Sequence, residues 1–426
     1  MSSASLIDDC FLHDKDRMRH DEALALLQAR LAPVVGEETV ALSDALGRVV
    51  CHDILAPHNV PLHTNAAVDG YAFAHVDLAQ SPLPVVGQIT AGHLEPSPLT
   101  PGTAVRIFTG ATMPPGAETV AMQEDCEEAD GQVDLPRGLR RGANCRLAGE
   151  DRTEGDVIFE TGRRLKAADL AALASIGLPQ LPVFKRLRVA YFSSGDEMRR
   201  AGSTDNTLRV GEVYDANWPL LSAVMQTMPV DLRDGGILPD DEIQVQRSLE
   251  KAAGDCDAII TTGGASRGVE DHMLTVLDRL GKRHLWQLAV KPGRPMMFGQ
   301  IARSAKHNDC LFFGLPGNPV AAMVCFLLYT RPALLRLSGA QWAEPARFQV
   351  AAGFDITKKK PDRREFVRCR LARDREGLPA LEKFDRDGSG LISSLTFADG
   401  LAELPEEMTA LTAGELINFL PFSAFD

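Results

Sequence analysis

The chain lacks any excess of basic residues: 45 Lys and Arg face 58 Asp and Glu, for a formal net charge of -13. Such a field repels phosphate backbones, and no local basic stripe offsets it, so duplex nucleic acid is excluded as a partner. A small anionic ligand is not excluded, because backbone N–H groups at loops and helix N-termini bind phosphate whatever the net charge. There is no Cys-x-x-Cys pair, and the eight cysteines, at 10, 51, 126, 145, 256, 310, 325 and 369, lack the clustered Cys/His spacing of a zinc site. Cys310 precedes Leu311-Phe312-Phe313 and Cys325 adjoins Phe326, settings in which a free thiol acts as a small hydrophobe. Reduced thiols suit a cytoplasmic location. No secretory leader is expected either, since Asp8, Asp9, Asp14 and Asp16 stand where its apolar core would be. No apolar run approaches membrane-spanning length, so no membrane association is expected. Neither G-x-x-x-x-G-K-[ST] nor G-x-G-x-x-G after a strand occurs, which weakens ATPase and dinucleotide readings.

What is present is a soluble globular composition, with 45% hydrophobic and 24% charged residues spread over 426 positions. That length exceeds one hydrophobic core and calls for several domains. Ala23, Leu24, Leu26, Leu27 and Leu31 share one helical face, and a similar segment runs from Lys166 to Ile176. Between them, roughly 52–146, Pro, Gly and short β-prone runs such as Ala104–Phe108 and Thr119–Met122 indicate a β-rich insertion. From Arg188 strands and helices alternate: strands at Arg188–Phe192, Val230–Leu238, Asp257–Thr262, His284–Val290 and Cys310–Phe313, and helices at Asn217–Met228, Asp241–Ala253, Glu270–Gly281 and Pro319–Leu335. This grammar predicts a mainly parallel sheet with helices on both faces and ligands beyond the carboxyl ends of its strands. After Gly339 short strands follow at Phe348–Ala351, Glu365–Leu371, Leu391–Leu395 and Glu415–Phe419, the pattern of a small β domain.

Three loops leave apolar strands on the same predicted edge: Ser193-Ser194-Gly195-Asp196-Glu197, Thr261-Thr262-Gly263-Gly264-Ala265-Ser266 and Gly314-Leu315-Pro316-Gly317-Asn318-Pro319. Glycine lets amides approach a ligand with no Cβ in the way, and hydroxyls add donors, so the edge suits phosphate oxygens. Asn318 is expected to cap the last helix, with Pro319 in its first turn and free N–H groups facing the edge. Any one such turn reads equally well as a plain βα connection; three together favour a site. Asp196, Glu197, Asp215, Asp240 and Asp271 gather at the same edge, where hard oxygens beside a phosphate suit Mg²⁺. Taken singly, each is more often a surface charge or helix cap. Lys291-Pro292-Gly293-Arg294-Pro295 sets two cations on a proline-stiffened turn, able to neutralise an oxyanion.

Asn65-Ala66-Ala67-Val68-Asp69-Gly70-Tyr71-Ala72 resembles the N-S-A-M-D-G-Y-A signature of the molybdopterin molybdotransferases, the MoeA and gephyrin E-domain family. Arg106–Ala111 with Pro114, Gly116 and Ala117 is similar to their R-I-x-T-G-A-x-x-P-x-G-A run. Gly149-Glu150-Asp151, Ser194–Glu197, Tyr214–Asn217, Gly263–Ser266 with Asp271, Lys291–Pro295 and Gly314–Pro319 follow in family order, so the resemblance spans roughly residues 20 to 420. It implies a homodimer of four-domain subunits: a helical linker domain (10–52 and 147–185), a β-rich lid (53–146), an α/β domain similar to molybdopterin adenylyltransferase (186–337) and a C-terminal β-barrel (338–426). The implied reaction is transfer of molybdate to adenylylated molybdopterin with Mg²⁺-dependent release of AMP. By the same resemblance Glu197, Asp240 and Asp271 hold metal or orient water, Lys291 meets molybdate, and Thr109 and Asp151 line the cleft between subunits. Asp69, Gly195, Asp196, Gly263, Gly264, Ser266, Arg294, Gly314, Pro316, Gly317 and Asn318 bind the pterin substrate. The implied partners are molybdopterin adenylyltransferase and molybdoenzyme maturation chaperones.

Four positions depart from the pattern: Thr64 for an Asp, Ala66 for a Ser, Gln287 for a Lys and Ala321 for a Ser. They leave open a paralogue of altered metal selectivity, for instance toward tungstate, and a non-catalytic pterin carrier or scaffold. A nucleotide-pyrophosphate hydrolase or an adenylyltransferase on the same edge is a further alternative. Asp271→Asn and Lys291→Ala are each expected to lower turnover while the protein stays folded; wild-type rates in both variants would overturn the site assignment.

Overall fold

A computed structural model describes residues 17–92, 96–202, 207–264, 272–303 and 308–425. Helix α1 (His20–Arg30) opens the chain and β1 (Glu37–Ala41) follows. The chain then builds a six-stranded sheet from β2 (Gly70–Phe73), β3 (Leu83–Ile89), β4 (Ala104–Ile107), β5 (Thr119–Met122), β6 (Glu127–Ala129) and β7 (Gln132–Asp134), in the order β5-β2-β4-β3-β7-β6. It returns through α2 (Ala167–Ser175) to β8 (Gln180–Phe184), which pairs antiparallel with β1. The excursion and return match the predicted β-rich insertion between two helical segments.

The α/β region contains β9 (Leu187–Ser194), α3 (Asn217–Gln226), β10 (Val230–Leu238), α4 (Glu242–Asp255), β11 (Ala258–Thr262), α5 (His272–Leu280), β12 (Gly281–Gln287), β13 (Val290–Lys291), β14 (Pro295–Ile301) and β15 (Cys310–Leu315). One sheet runs β10-β9-β11-β15-β14-β12, and its first four strands are mutually parallel. The last two pair antiparallel, so the sheet is mixed at one edge. Sequence periodicity missed β14, whose Met, Phe and Gly run directly follows a proline-rich turn.

Side chains alternate across this sheet with the period of two that a strand imposes. Val189, Tyr191, Ile260, Leu311 and Phe313 face a core shared with Leu221 and Met225 of α3. Ala190, Phe192, Ile259, Cys310 and Phe312 face the opposite core, shared with Val245 and Leu249 of α4 and Met273 and Leu277 of α5. Burial on both sides explains why these strands read as continuous apolar runs.

A long helix closes the region: α6 (Pro319–Cys325) passes through a π turn (Phe326–Thr330) into α7 (Arg331–Leu337). It is 19 residues long and apolar enough to cross a membrane, which corrects the expectation that no run approaches that length; 83% of its most apolar window is buried, as befits a core helix. Helix α1 docks against it. Ala23, Leu27 and Leu31 enter the same cluster as Tyr329 and Leu334, and buried His20 Nδ1 lies 2.6 Å from Tyr329 Oη. Burial pushes the His20 pKa down to about 3, so its ring stays neutral.

The chain ends in β16 (Phe348–Ala352), β17 (Arg364–Arg373), β18 (Pro379–Lys383), the short helix α8 (Ser393–Phe397), β19 (Gly400–Leu404) and β20 (Leu416–Pro421). Pairing runs β17-β18-β16-β20-β19 and closes from β19 back to β17, giving a five-stranded barrel. Leu391–Leu395, expected as a strand, is instead a turn leading into α8, and the strand follows at β19. Arg364 joins barrel to α1: its guanidinium meets Asp21 at 2.8 Å, Glu403 at 2.9 Å and Glu406 at 2.9 Å.

Phe313, fully buried between the sheet and its helices, is expected to cost about 3–5 kcal/mol when replaced by Ala. Phe348→Ala, on a side chain 53% exposed, is expected to change stability by about 0.5 kcal/mol or less. Urea unfolding of both variants checks this, and equal shifts would contradict the assignment of the core.

Candidate functional site

Because β9, β11 and β15 are adjacent and parallel, their carboxyl ends deliver the three glycine turns to one edge, as predicted. Gly263 N–H donates to Leu315 O at 3.1 Å, binding the second turn to the third. Gly263 sits at φ +89, and a Cβ there would lie 2.7 Å from Ser194 O of the first turn. Glycine at 263 is therefore what lets the first and second turns pack this closely. Gly264, at φ +65, and Gly314, whose added Cβ would strike Met297 Cε at 2.6 Å, tighten the same cradle.

Helix α3 holds the cradle from below. The Asp215 carboxylate accepts from the amides of Asn217 (3.0 Å) and Trp218 (3.1 Å), pairs with Arg200 at 3.1 Å, and takes the Ser193 hydroxyl. Asp215 is thus a buried helix-start residue rather than a free edge carboxylate. Asn217 Nδ2 donates to Gly317 O at 2.7 Å, fixing the third turn. Tyr191 Oη and Thr262 Oγ1, 2.7 Å apart, link the first two strands beneath the turns. The sequence offered Asp215 as an edge carboxylate suited to Mg²⁺ and Asn217 as a helix start; their pinning role shows once α3 is placed against Gly317.

The exposed carboxylates form a second layer. The amides and carboxylates of Asp196 and Asp240 are reciprocally bonded, Asp196 N to Asp240 Oδ2 at 3.3 Å and Asp240 N to Asp196 Oδ1 at 3.1 Å. Glu197 folds back so that its Oε2 occupies the space a Gly195 Cβ would need, and Gly195 has φ +128. A cavity of about 630 Å³ opens beside them, lined by Gly195, Asp196, Met198, Arg199, Arg200 and Pro239 among others. Ser266 and Asp271, also predicted here, lie outside the described residues.

Asn318 does not cap α6 with its side chain, contrary to expectation. Pro319 has no N–H to offer, and the next amide, Val320 N, donates 3.0 Å to Ser389 O of a barrel loop. A barrel carbonyl has taken the place of the side-chain cap. Pro316 is buried between Leu315, whose carbonyl accepts from Gly263, and Gly317, whose carbonyl accepts from Asn217.

The predicted cations also meet the barrel. Lys291 lies in β13, which pairs in parallel with β17 at Arg364 and Glu365. Its Nζ reaches Glu365 Oε2 at 3.2 Å, while Arg363 holds Glu365 Oε1 at 2.7 Å. Asp387 sits nearby: a hydrogen bond from Lys383, outweighing burial, and then the charges of Lys383, Lys291 and Arg368 hold its carboxyl below the usual range. Arg294 donates from Nε (3.3 Å) and Nη2 (3.2 Å) to Gln287 Oε1. Glu365 and Ser389 escaped sequence reasoning because their partners are 74 and 69 positions away, with no local signal to mark them.

In the β-rich sheet region, Asp69 Oδ1 accepts from both Thr109 N and Thr109 Oγ1 at 2.7 Å. These bonds hold the Asp69 carboxyl below its ordinary value, the backbone one most of all. Asp151 is exposed, and its amide donates to Val60 O at 3.0 Å. Among the described residues, no hydrogen bond or ion pair joins Asp69, Thr109 or Asp151 to the glycine turns.

Fold and site together define a multidomain α/β protein with three glycine turns on one sheet edge, an attached barrel and a separate β-rich unit. The MoeA N-terminal region (domains I and II) matches residues 18–177, the probable molybdopterin-binding domain residues 192–336, and the MoeA C-terminal region (domain IV) residues 349–422. A molybdopterin molybdenumtransferase of Haemophilus influenzae is 33% identical over 406 residues, covering 95% of this chain and 98% of that protein. One from Nostoc is 31% identical, covering 89% and 87%. The crystal structure of a molybdopterin biosynthesis MoeA protein from Pyrococcus horikoshii superposes with a TM-score of 0.81 at 27% identity, covering 96% of this chain and all of that one. The chain belongs to the MoeA family of molybdopterin molybdenumtransferases, transferases of molybdenum cofactor biosynthesis.

Gly263→Ala is expected to destabilise the protein by about 1–3 kcal/mol, because positive φ and a backbone clash act together. Gly131→Ala, at φ +76 with nothing within 4 Å of the new Cβ, is expected to cost less. Thermal unfolding ranks the two, and the reverse order would contradict the close approach of the turns.

Proposed function

We propose that this chain transfers molybdate to adenylylated molybdopterin, with hydrolysis of the adenylate, release of AMP and molybdenum left on the pterin dithiolene. One observation carries the reading: three glycine turns pinned to each other at the carboxyl edge of a parallel sheet, in a chain that family models match nearly from end to end. Amides of Gly264, Gly317 and Asn318 bind the phosphate-bearing part of the substrate, while Gly195, Gly263 and Gly314 let the turns pack closely and Pro316 shapes the third turn.

The carboxylates beside the cradle are an all-oxygen donor set, which fits a hard cation. Glu197 and Asp240, with Asp271, would hold Mg²⁺, and Asp196 orients Asp240 through its amide. Bound there, the ion supplies Lewis-acid neutralisation of the charge that develops as the adenylate leaves. Lys291 and Arg294 meet the incoming oxyanion, which Lys291 does by exchanging its pairing with Glu365.

Asp69, Thr109 and Asp151 belong to the same reaction in a homodimer, where a second copy brings its β-rich unit to the glycine edge. The Asp69–Thr109 bonds keep that loop in shape before it arrives. The upstream partner is a molybdopterin adenylyltransferase, whose product is this enzyme's substrate; downstream, molybdoenzyme maturation chaperones receive the loaded cofactor. The setting is cytoplasmic.

Purified protein given adenylylated molybdopterin, Mg²⁺ and molybdate is expected to release AMP in proportion to molybdate. Release no faster than in a protein-free blank would sink the catalytic reading, and accumulation of adenylylated pterin from ATP and molybdopterin would place the chain at a different step.

A further inference from the structure

Glu37, Cys51 and His52 lie outside the residues used above. Their donor atoms, one from each side chain, fall within 4.8 Å of one another. His52 Nε2 is 3.0 Å from Glu37 Oε2. Cys51 is 4% exposed, whereas the His52 and Glu37 side chains are 60% and 53% exposed. The thiol thus approaches from inside the protein and the other two donors from the solvent side.

The backbone under these donors is fixed before any ligand arrives. Glu37 is held opposite Phe184 in the β1–β8 ladder. Val50, just before Cys51, donates to Arg163 O at 3.0 Å and accepts from Gly162 N at 2.8 Å. Asp53, just after His52, accepts from Thr161 N at 2.8 Å and Thr161 Oγ1 at 3.0 Å. The Cys51–His52 dipeptide is therefore clamped at both ends, and its donors converge with a carboxylate from another strand. No spacing rule finds such a site, because Glu37 is brought in by strand pairing rather than by sequence.

We infer that Glu37, Cys51 and His52 form a binding site for a thiophilic divalent cation, of which Zn²⁺ fits best. A soft sulfur with an imidazole nitrogen selects against Mg²⁺ and Ca²⁺, and one Cys, one His and one carboxylate are all ordinary zinc ligands. Three protein donors leave the fourth tetrahedral position to solvent, on the exposed side. The ion ties β1 to the segment before Asp53 and stabilises the folded chain by binding it in preference to the unfolded one.

Full-length protein, reduced and stripped with chelator, is titrated with Co²⁺ and then Zn²⁺. One equivalent of Co²⁺ is expected to give a thiolate-to-cobalt charge-transfer band that Zn²⁺ abolishes and that Cys51→Ser lacks. His52→Ala and Glu37→Gln are expected to weaken Zn²⁺ binding about tenfold or more, since even changes outside the ligand shell cost 10–100-fold. No band in the wild type, or a band that persists in Cys51→Ser, overturns the site. If Cys51→Ser does not fold, the two exposed positions decide, and unchanged affinity in both overturns it equally. The readout is spectroscopic and separate from AMP release, so failure of the metal site and failure of the transferase reading are distinguishable.

Discussion

The parallel pairing of β9, β11 and β15 is the constraint on which the rest depends. It forces alternate side chains into two different cores, Tyr191 and Phe313 on one side and Phe192 and Phe312 on the other. Burial of such aromatic and aliphatic side chains is worth about 1.5–3 kcal/mol each, so the register cannot slip by one residue without moving every one to the wrong face. The same register sets the three glycine turns level with each other. Site geometry is in this sense a by-product of core packing: Gly263 N–H finds Leu315 O because Thr262 is already opposite Leu315.

Around that edge the structure separates rigid from exchangeable contacts. The Asp215 hub is almost fully buried, as is the Asn217 side chain that clamps Gly317, and a lost partner there is costly. The outer layer is different. Asp196, Asp240, Glu197, Lys291 and Arg294 are exposed, and ion pairs in that setting contribute little to stability. They are free to trade protein partners for a ligand at small cost, which is what a site handling a charged substrate requires.

Much of this was legible from residues alone. Continuous apolar runs alternating with helical segments gave the parallel strands, glycine-bearing turns gave the site edge, and motif order gave the family. What escaped reading has more than one cause. β14 pairs antiparallel with its chain neighbours on both sides, β12 and β15, but is hidden by the proline-rich turn it follows, Leu391–Leu395 turns at Ile392 into α8, and Asn318 has local capping chemistry that the distant Ser389 O displaces. Local propensity offers no information about a competitor 69 positions away. Lys291 was correctly singled out as a cation but read as a turn residue, because its strand is completed only by the barrel.

The bond from Val320 to Ser389, with the β13–β17 pairing, has a consequence for how the chain can be divided. The barrel supplies the carbonyl that meets the first free amide of α6, the carboxylate that holds Lys291, and the strand that pairs with the one on which Lys291 lies. An excised α/β segment would keep its fold-determining strands yet expose an uncapped helix start and a released lysine. Its affinity for anions would then report a surface that the intact chain never presents, so the α/β segment and the barrel form one functional unit even though each has its own sheet.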